Sequence, residues 1–140
     1  MITLLSFDQL TQLYAVRQNG LALHFAASEL KRDHEIIMCA LKQTMYALQY
    51  VPMDLRSSKP FMMDAARQNG LALRYASKHL QDDREVVLLA VVQNGKSLNH
   101  ASENLQLEFA HLVTETLHVP NEKAILHVAA AEVTFHAFNS

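Results

Sequence analysis

Three observations predict an all-α protein, built from tandem 25-residue helix-turn-helix repeats stacked as a short α-solenoid or superhelical bundle with a C-terminal capping helix pair. Four glutamines, Gln18, Gln43, Gln68 and Gln93, fall at a strict period of 25. Apolar residues inside each period recur at helical spacing. Gly and Pro number only three each in 140 residues, half of which are hydrophobic, a composition that suits helices and argues against disorder or a many-turned β-sandwich.

The units read as Gln9–Asp33, His34–Ser58, Lys59–Asp83 and Arg84–Glu108, followed by a helical cap over 109–140. The length suits a single domain over 1–140. Besides the glutamines, three columns are identical in all four units: Ala15/Ala40/Ala65/Ala90, Leu23/Leu48/Leu73/Leu98 and Leu30/Leu55/Leu80/Leu105. In the fourth unit, the first helix is predicted through Arg84–Gln93, with Val87, Leu88 and Val91 on its apolar face. Asp82 and Asp83 offer capping oxygens, and Asp82 has capping-box spacing to Glu85. In the third unit Ser57 or Ser58 takes that place and Pro60 suits the first helical turn, where a missing N–H costs nothing. Asn-Gly then stops the helix, with glycine expected in a left-handed C-cap.

A second helix is predicted over Leu71–Leu80 and its equivalents, with Leu73, Ala76 and Leu80 on one stripe and the aromatic column Phe25/Tyr50/Tyr75/His100 beside it. Helices this short are marginal alone and must stack on neighbours. After the fourth unit the period fails; Glu103 to His118 still reads as helix, Pro120 breaks it, and Asn121 can cap a last helix through Ala124, Leu126, Val128, Ala129 and Val133. This segment is expected to close the stack.

The phrase Ala15-Val16-Arg17-Gln18-Asn19-Gly20-Leu21-Ala22-Leu23-His24-Phe25-Ala26 returns as Ala65 to Ser77, and more loosely as Ala90 to Ser102. It resembles a bacterial helical repeat family of uncharacterised function, written A-V-K/R-Q-N-G-x-A-L-x-Y-A-S, whose domain spans two of the present units. Such repeats are familiar in secreted effectors of intracellular pathogens. The resemblance therefore implies an effector or effector-associated protein, and it carries no catalytic residues to transfer. The second unit departs most, with Thr44-Met45 for Asn-Gly and Val51-Pro52-Met53 for Ala-Ser-x, so its stop and second helix are expected to be distorted.

The net charge of −2 supplies no strong field toward nucleic acid or an anionic membrane. A lone Cys39 excludes an internal disulfide framework, so the chain is either cytoplasmic in the producing bacterium, the expected location, or does not depend on oxidation. Met1 to Asp8 lacks the basic start of a signal peptide, so translocation into a host cell is expected to proceed without a Sec-type signal. No run is long enough for a membrane span.

Eight histidines raise a metal hypothesis that the spacing rejects. His111 and His118 lie two helical turns, roughly 10 Å, apart and cannot share an ion. His24, His100, His127 and His136 stand alone, and no zinc-type spacing occurs. No metal or cofactor is expected. The column of Cys39 otherwise holds Tyr14, Asp64 and Leu89, so the repeat does not require a thiol. The glutamine ladder is read as bonding backbone groups freed at helix ends, with ligand reading as the sharper alternative.

The expected function is a non-enzymatic protein-protein interaction module binding a host protein or another effector. Partner-binding candidates are Met45, Tyr46, Tyr50 and Met53 of the second unit, with Val51 alongside, because adaptable Met and Tyr replace the residues of more regular units. Arg74 and Lys78 join them from two columns, His24/Gln49/Arg74/Asn99 and Ser28/Met53/Lys78/Glu103, that differ in every unit. Such a patch fits a partner or a second copy of the chain. The alternatives are a nucleic-acid-binding repeat, whose basic track would be Arg17, Lys42 and Arg67 before Val92 ends it, and an enzyme, for which no acid, base or nucleophile set converges.

Overall fold

The computed structural model describes the backbone of residues 6–117 and the side chains of residues 6–111, and over this range the regular elements are all helical. The elements proposed beyond Leu117, with His118, His127 and His136, lie outside the described residues. The chain forms two compact units, divided between Arg56 and Ser57, each holding two of the 25-residue repeats.

The first helices form as the sequence predicts: α1 (Phe7–Gln18) and α2 (His34–Gln43) in the first unit. The first unit ends on the single turn α3 (Met53–Arg56). The second unit holds α4 (Lys59–Gln68), the short α5 (Lys78–Gln81), α6 (Arg84–Gln93) and α7 (Glu103–Leu117). Ser6 and Gln9 make a reciprocal capping box on α1. Asp33 accepts from the Ile36 N–H at 3.1 Å, and Asp83, not Asp82, caps α6 by accepting from Glu85 and Val86. Ser58 holds the cap position of α4 without a side-chain bond, and Pro60 sits in its first turn.

The predicted second helix is instead two pieces. Six-residue 3-10 segments span Gly20–Phe25, Met45–Tyr50, Gly70–Tyr75 and Gly95–His100. Each ends where Ala26, Val51, Ala76 or Ala101 turns extended, and a short helical turn or α7 begins after it. Apolar spacing missed this break because Leu73, Ala76 and Leu80 all face the core across it, at 0%, 7% and 1% exposure. The local signal was the following Ser77, Ser102 or Pro52: serine competes for backbone bonds, and proline cannot donate to a continuing ladder.

The helix stop also differs from expectation. Asn19, Asn69 and Asn94 are extended, with φ of −149°, −157° and −154°, so no left-handed cap forms. Each asparagine Oδ1 accepts the N–H two residues on, at 3.0 Å, and thereby starts the 3-10 segment. Thr44 Oγ1 does the same for Tyr46 at 3.2 Å, so the second repeat is not distorted at its stop. Glycine is required for close approach: a Cβ on Gly20 would lie 2.5 Å from the Ala40 oxygen, and one on Gly70 would collide with the Ala90 oxygen.

That approach seats each odd repeat on the even one. Gln43 accepts from Gly20 N–H at 3.0 Å and donates to the Val16 and Arg17 carbonyls at 2.9 and 2.6 Å. Gln93 accepts from Gly70 N–H at 2.5 Å. Gln43 thus satisfies the helix end and turn of the preceding repeat, and Gln93 the turn, as the backbone-bonding reading expected for these two; among the described residues Gln18 and Gln68 show no such bond. Ala40, Ala65 and Ala90 are fully buried, as are Leu23, Leu48 and Leu73.

Candidate functional site

Residues at the two variable columns face outward. His24, Gln49, Arg74 and Asn99 are all exposed, and so are Ser28, Met53, Lys78 and Glu103. The fixed leucines one position before the first column are buried, which follows from a 3-10 turn directing adjacent side chains to different sides. These two varying columns are therefore ones the fold leaves free.

In the second unit these columns line a cleft of about 550 Å³ that includes Arg74, Lys78, Asn99, His100 and Glu103. Its walls are braced by a glutamine column absent from the sequence reading. Gln81, 8% exposed, donates to the Leu73 and Arg74 carbonyls at 3.0 and 3.2 Å. One period later Gln106 donates to the Ala101 carbonyl at 2.8 Å and reaches the Asn99 carbonyl at 3.4 Å. In the second repeat Arg56 Nε occupies that role, donating to the Val51 carbonyl at 3.0 Å. The backbones of Arg74 and Asn99, both members of the first variable column, are thus fixed by side chains behind them. The signal was in the sequence as a column of long donors, Lys31/Arg56/Gln81/Gln106, without an identical residue to mark it. Across the two repeats the Ser102 N–H donates to the Gln81 carbonyl at 2.8 Å, and the Ser102 hydroxyl donates to Asp82.

Of the described cations, some are held by carboxylates and others, Arg17, Lys31, Lys42 and Lys96 among them, are not. Arg32 pairs with Asp54, Lys59 with Asp83 and Glu85, Arg67 with Asp64, and Arg84 with Glu108. Arg74 and Lys78 carry no carboxylate partner among the described residues. The Arg74 guanidinium instead lies 5.8 Å from the centre of the Tyr75 ring. Burial, and then the Arg74 charge, hold the His100 imidazole below its ordinary value, which favours its neutral form.

The equivalent place in the first unit is filled by rings. His24, in the Arg74 column, stacks on Tyr50, in the His100 column, with centroids 4.5 Å apart. Of the other candidates there, Tyr46 and Met53 are 50% and 55% exposed, Met45 and Tyr50 are half-buried, and Val51 is core at 2%. The seven-residue spacing from Tyr46 to Met53 does not make one helical face, because the chain turns extended at Val51 between them. The structure thus gathers Arg74 and Lys78 into one cleft, and places the Met and Tyr candidates on the first unit.

Among the described residues no group of three His, Cys, Asp or Glu side chains is placed to hold a metal ion, and no helix is long and apolar enough to cross a membrane. The third step of the basic track, Arg67, is engaged by Asp64 at 2.7 Å.

A family model described as a domain of unknown function, DUF4116, matches the chain twice, over residues 12–56 and 58–106. The two matches meet where the two compact units divide, so one family domain corresponds to one pair of 25-residue repeats. No curated protein and no solved structure matches.

Proposed function

We propose that this chain, which belongs to the DUF4116 family, is a non-enzymatic protein-binding module that presents its variable columns to a host protein or another effector. The observation that carries this reading is that all eight residues of the two variable columns are exposed, while most residues of the fixed alanine and leucine columns lie in the core. A scaffold held by invariant packing, with freely varying outward positions, suits partner recognition by stacked repeats. Exposed Tyr46 and Met53 add adaptable apolar contacts on the first unit. The resemblance to repeats of secreted effectors supports action as an effector or effector-associated protein, made in a bacterial cytoplasm and acting there or inside a host cell.

Capture from host-cell and bacterial lysates tests the reading. Two double variants are compared with the parent: Tyr46→Ser with Met53→Lys, and Arg74→Glu with Lys78→Glu. Both pairs are solvent-facing, so melting temperatures are expected to stay close to the parent's. At least one pair is expected to weaken retention of a captured protein by about 1–2 kcal/mol, the scale of an interface anchor. A captured set that neither pair changes would show that these columns are not the binding surface.

A further inference from the structure

We infer that the cleft of the second unit is a binding site for an acidic peptide segment, whose carboxylates are received by Arg74 and Lys78. The inference rests on the protein-binding reading and adds a chemical class to it. Four features of the site lead to it.

First, the cations are available. Arg17, Lys31, Lys42, Arg74, Lys78 and Lys96 have no carboxylate partner among the described residues, unlike Arg32, Lys59, Arg67 and Arg84, and of these six Arg74 and Lys78 are the two that line the cleft. A guanidinium without a carboxylate partner presents a planar donor fork that matches one, and the Lys78 ammonium in the same cleft adds a point charge. Second, the site is preorganised. Gln81 and Gln106 fix the backbones under Arg74 and Asn99, so less ordering accompanies binding. Third, the cleft has a different lining from the same place in the first unit: there the His24 and Tyr50 ring centroids lie 4.5 Å apart, where the second unit has Arg74 and His100, a charge in place of a ring pair. Fourth, the site selects by sign. Two cations and the single carboxylate of Glu103 line the cleft, leaving a positive surplus beside one acceptor. Glu103 can accept backbone N–H groups of a peptide laid across the cleft, which a small free dicarboxylate does not offer.

Fluorescence anisotropy on the full chain, with a labelled hexaglutamate peptide at low ionic strength, tests the inference. Saturable binding is expected, with hexalysine failing to compete and free glutarate competing at least tenfold more weakly than unlabelled peptide. Arg74→Gln and Lys78→Gln are each expected to weaken binding about tenfold. Glu103→Gln is expected to strengthen it several-fold, a gain that general damage to the fold would not produce. Absence of binding overturns the inference, as does binding unchanged by Arg74→Gln and Lys78→Gln together. Glutarate bound as well as the peptide would replace it with a small-anion site. If hexaglutamate is not bound while lysate capture still depends on the variable columns, only the acidic class is wrong and the module survives. If capture fails as well, both fall.

Discussion

His100 is the aromatic-column residue whose ordinary titration range lies near neutral pH, and its neighbours influence when it charges. It lies in the cleft with Arg74, Lys78 and Glu103, and its affinity for a proton is depressed first by burial and then by Arg74. A histidine with a lowered folded value is uncharged and costless to the fold above the ordinary value of 6.5, where neither state is protonated. As pH falls below that value the unfolded chain takes up the proton first, so this residue withdraws a little stability on acidification. The loss is small, because the ring keeps contact with solvent. For an acidic ligand the sign is opposite: a protonated His100 adds a third positive charge facing it. Hexaglutamate is therefore expected to bind more tightly at pH 5.5 than at pH 7.5, and to raise the proton affinity of His100. Titration of the His100 ring signals by NMR checks both, with Arg74→Gln expected to move the midpoint upward in the free protein. A midpoint unmoved by either the variant or the peptide would mean that Arg74 and the peptide carboxylates do not act at this ring.

At the scale of the elements, the sequence made the first helices and the period legible because identity and apolar spacing coincide there. Ala40, Ala65 and Ala90 are invariant and fully buried, and the predicted helix over Arg84–Gln93 forms with those bounds. The second element was harder to read, because a 3-10 segment followed by a short turn can bury the same leucines that one α-helix would. The glycines are clearer still in this respect: Asn-Gly looks like a left-handed stop, yet its reason is a neighbour's carbonyl, Ala40 or Ala90, that no local pattern encodes. The cleft was half legible. Variable columns picked out Arg74 and Lys78, while their bracing by Gln81 and Gln106 emerged only in three dimensions. Packing inside these elements gives a paired test. Leu48 and Leu73 are each 0% exposed, so Leu48→Ala and Leu73→Ala are each expected to cost about 2–5 kcal/mol. Ser97 occupies a column that holds Ala22, Ala47 and Ala72 elsewhere, and its hydroxyl is buried without a hydrogen-bond partner. Ser97→Ala is expected to stabilise by about 1 kcal/mol, since it removes an uncompensated desolvation. Denaturant melts of the three variants read all of these; a neutral leucine variant would displace that column from the core.

Across the whole molecule the surface chemistry is divided between the units. Of the large apolar side chains exposed among the described residues, Phe7, Leu10, Tyr14, Leu21, Phe25, Tyr46 and Met53 belong to the first unit, and only Val92 and Leu107 to the second. The second unit carries the polar cleft, whose cations have no carboxylate partner among the described residues. Contacts made by these two surfaces must respond differently to salt. Between about 0.1 M and 1 M ionic strength the screening length falls from ~10 Å to ~3 Å, which weakens attraction between solvated charges. Apolar contacts do not depend on that length and are strengthened by strongly hydrated salts such as sulfate. Hexaglutamate binding is therefore expected to weaken at least tenfold over this range of sodium chloride. Protein capture that depends on Tyr46 and Met53 is expected to hold in sodium chloride and to rise in sodium sulfate. The measurement runs both readouts on the same full chain, beside the Arg74→Gln and the Tyr46→Ser with Met53→Lys variants. Salt-insensitive hexaglutamate binding would remove the charge argument for the cleft. Salt-labile capture lost on changing Tyr46 and Met53 would mean that those side chains support a charged contact and are not themselves the anchors.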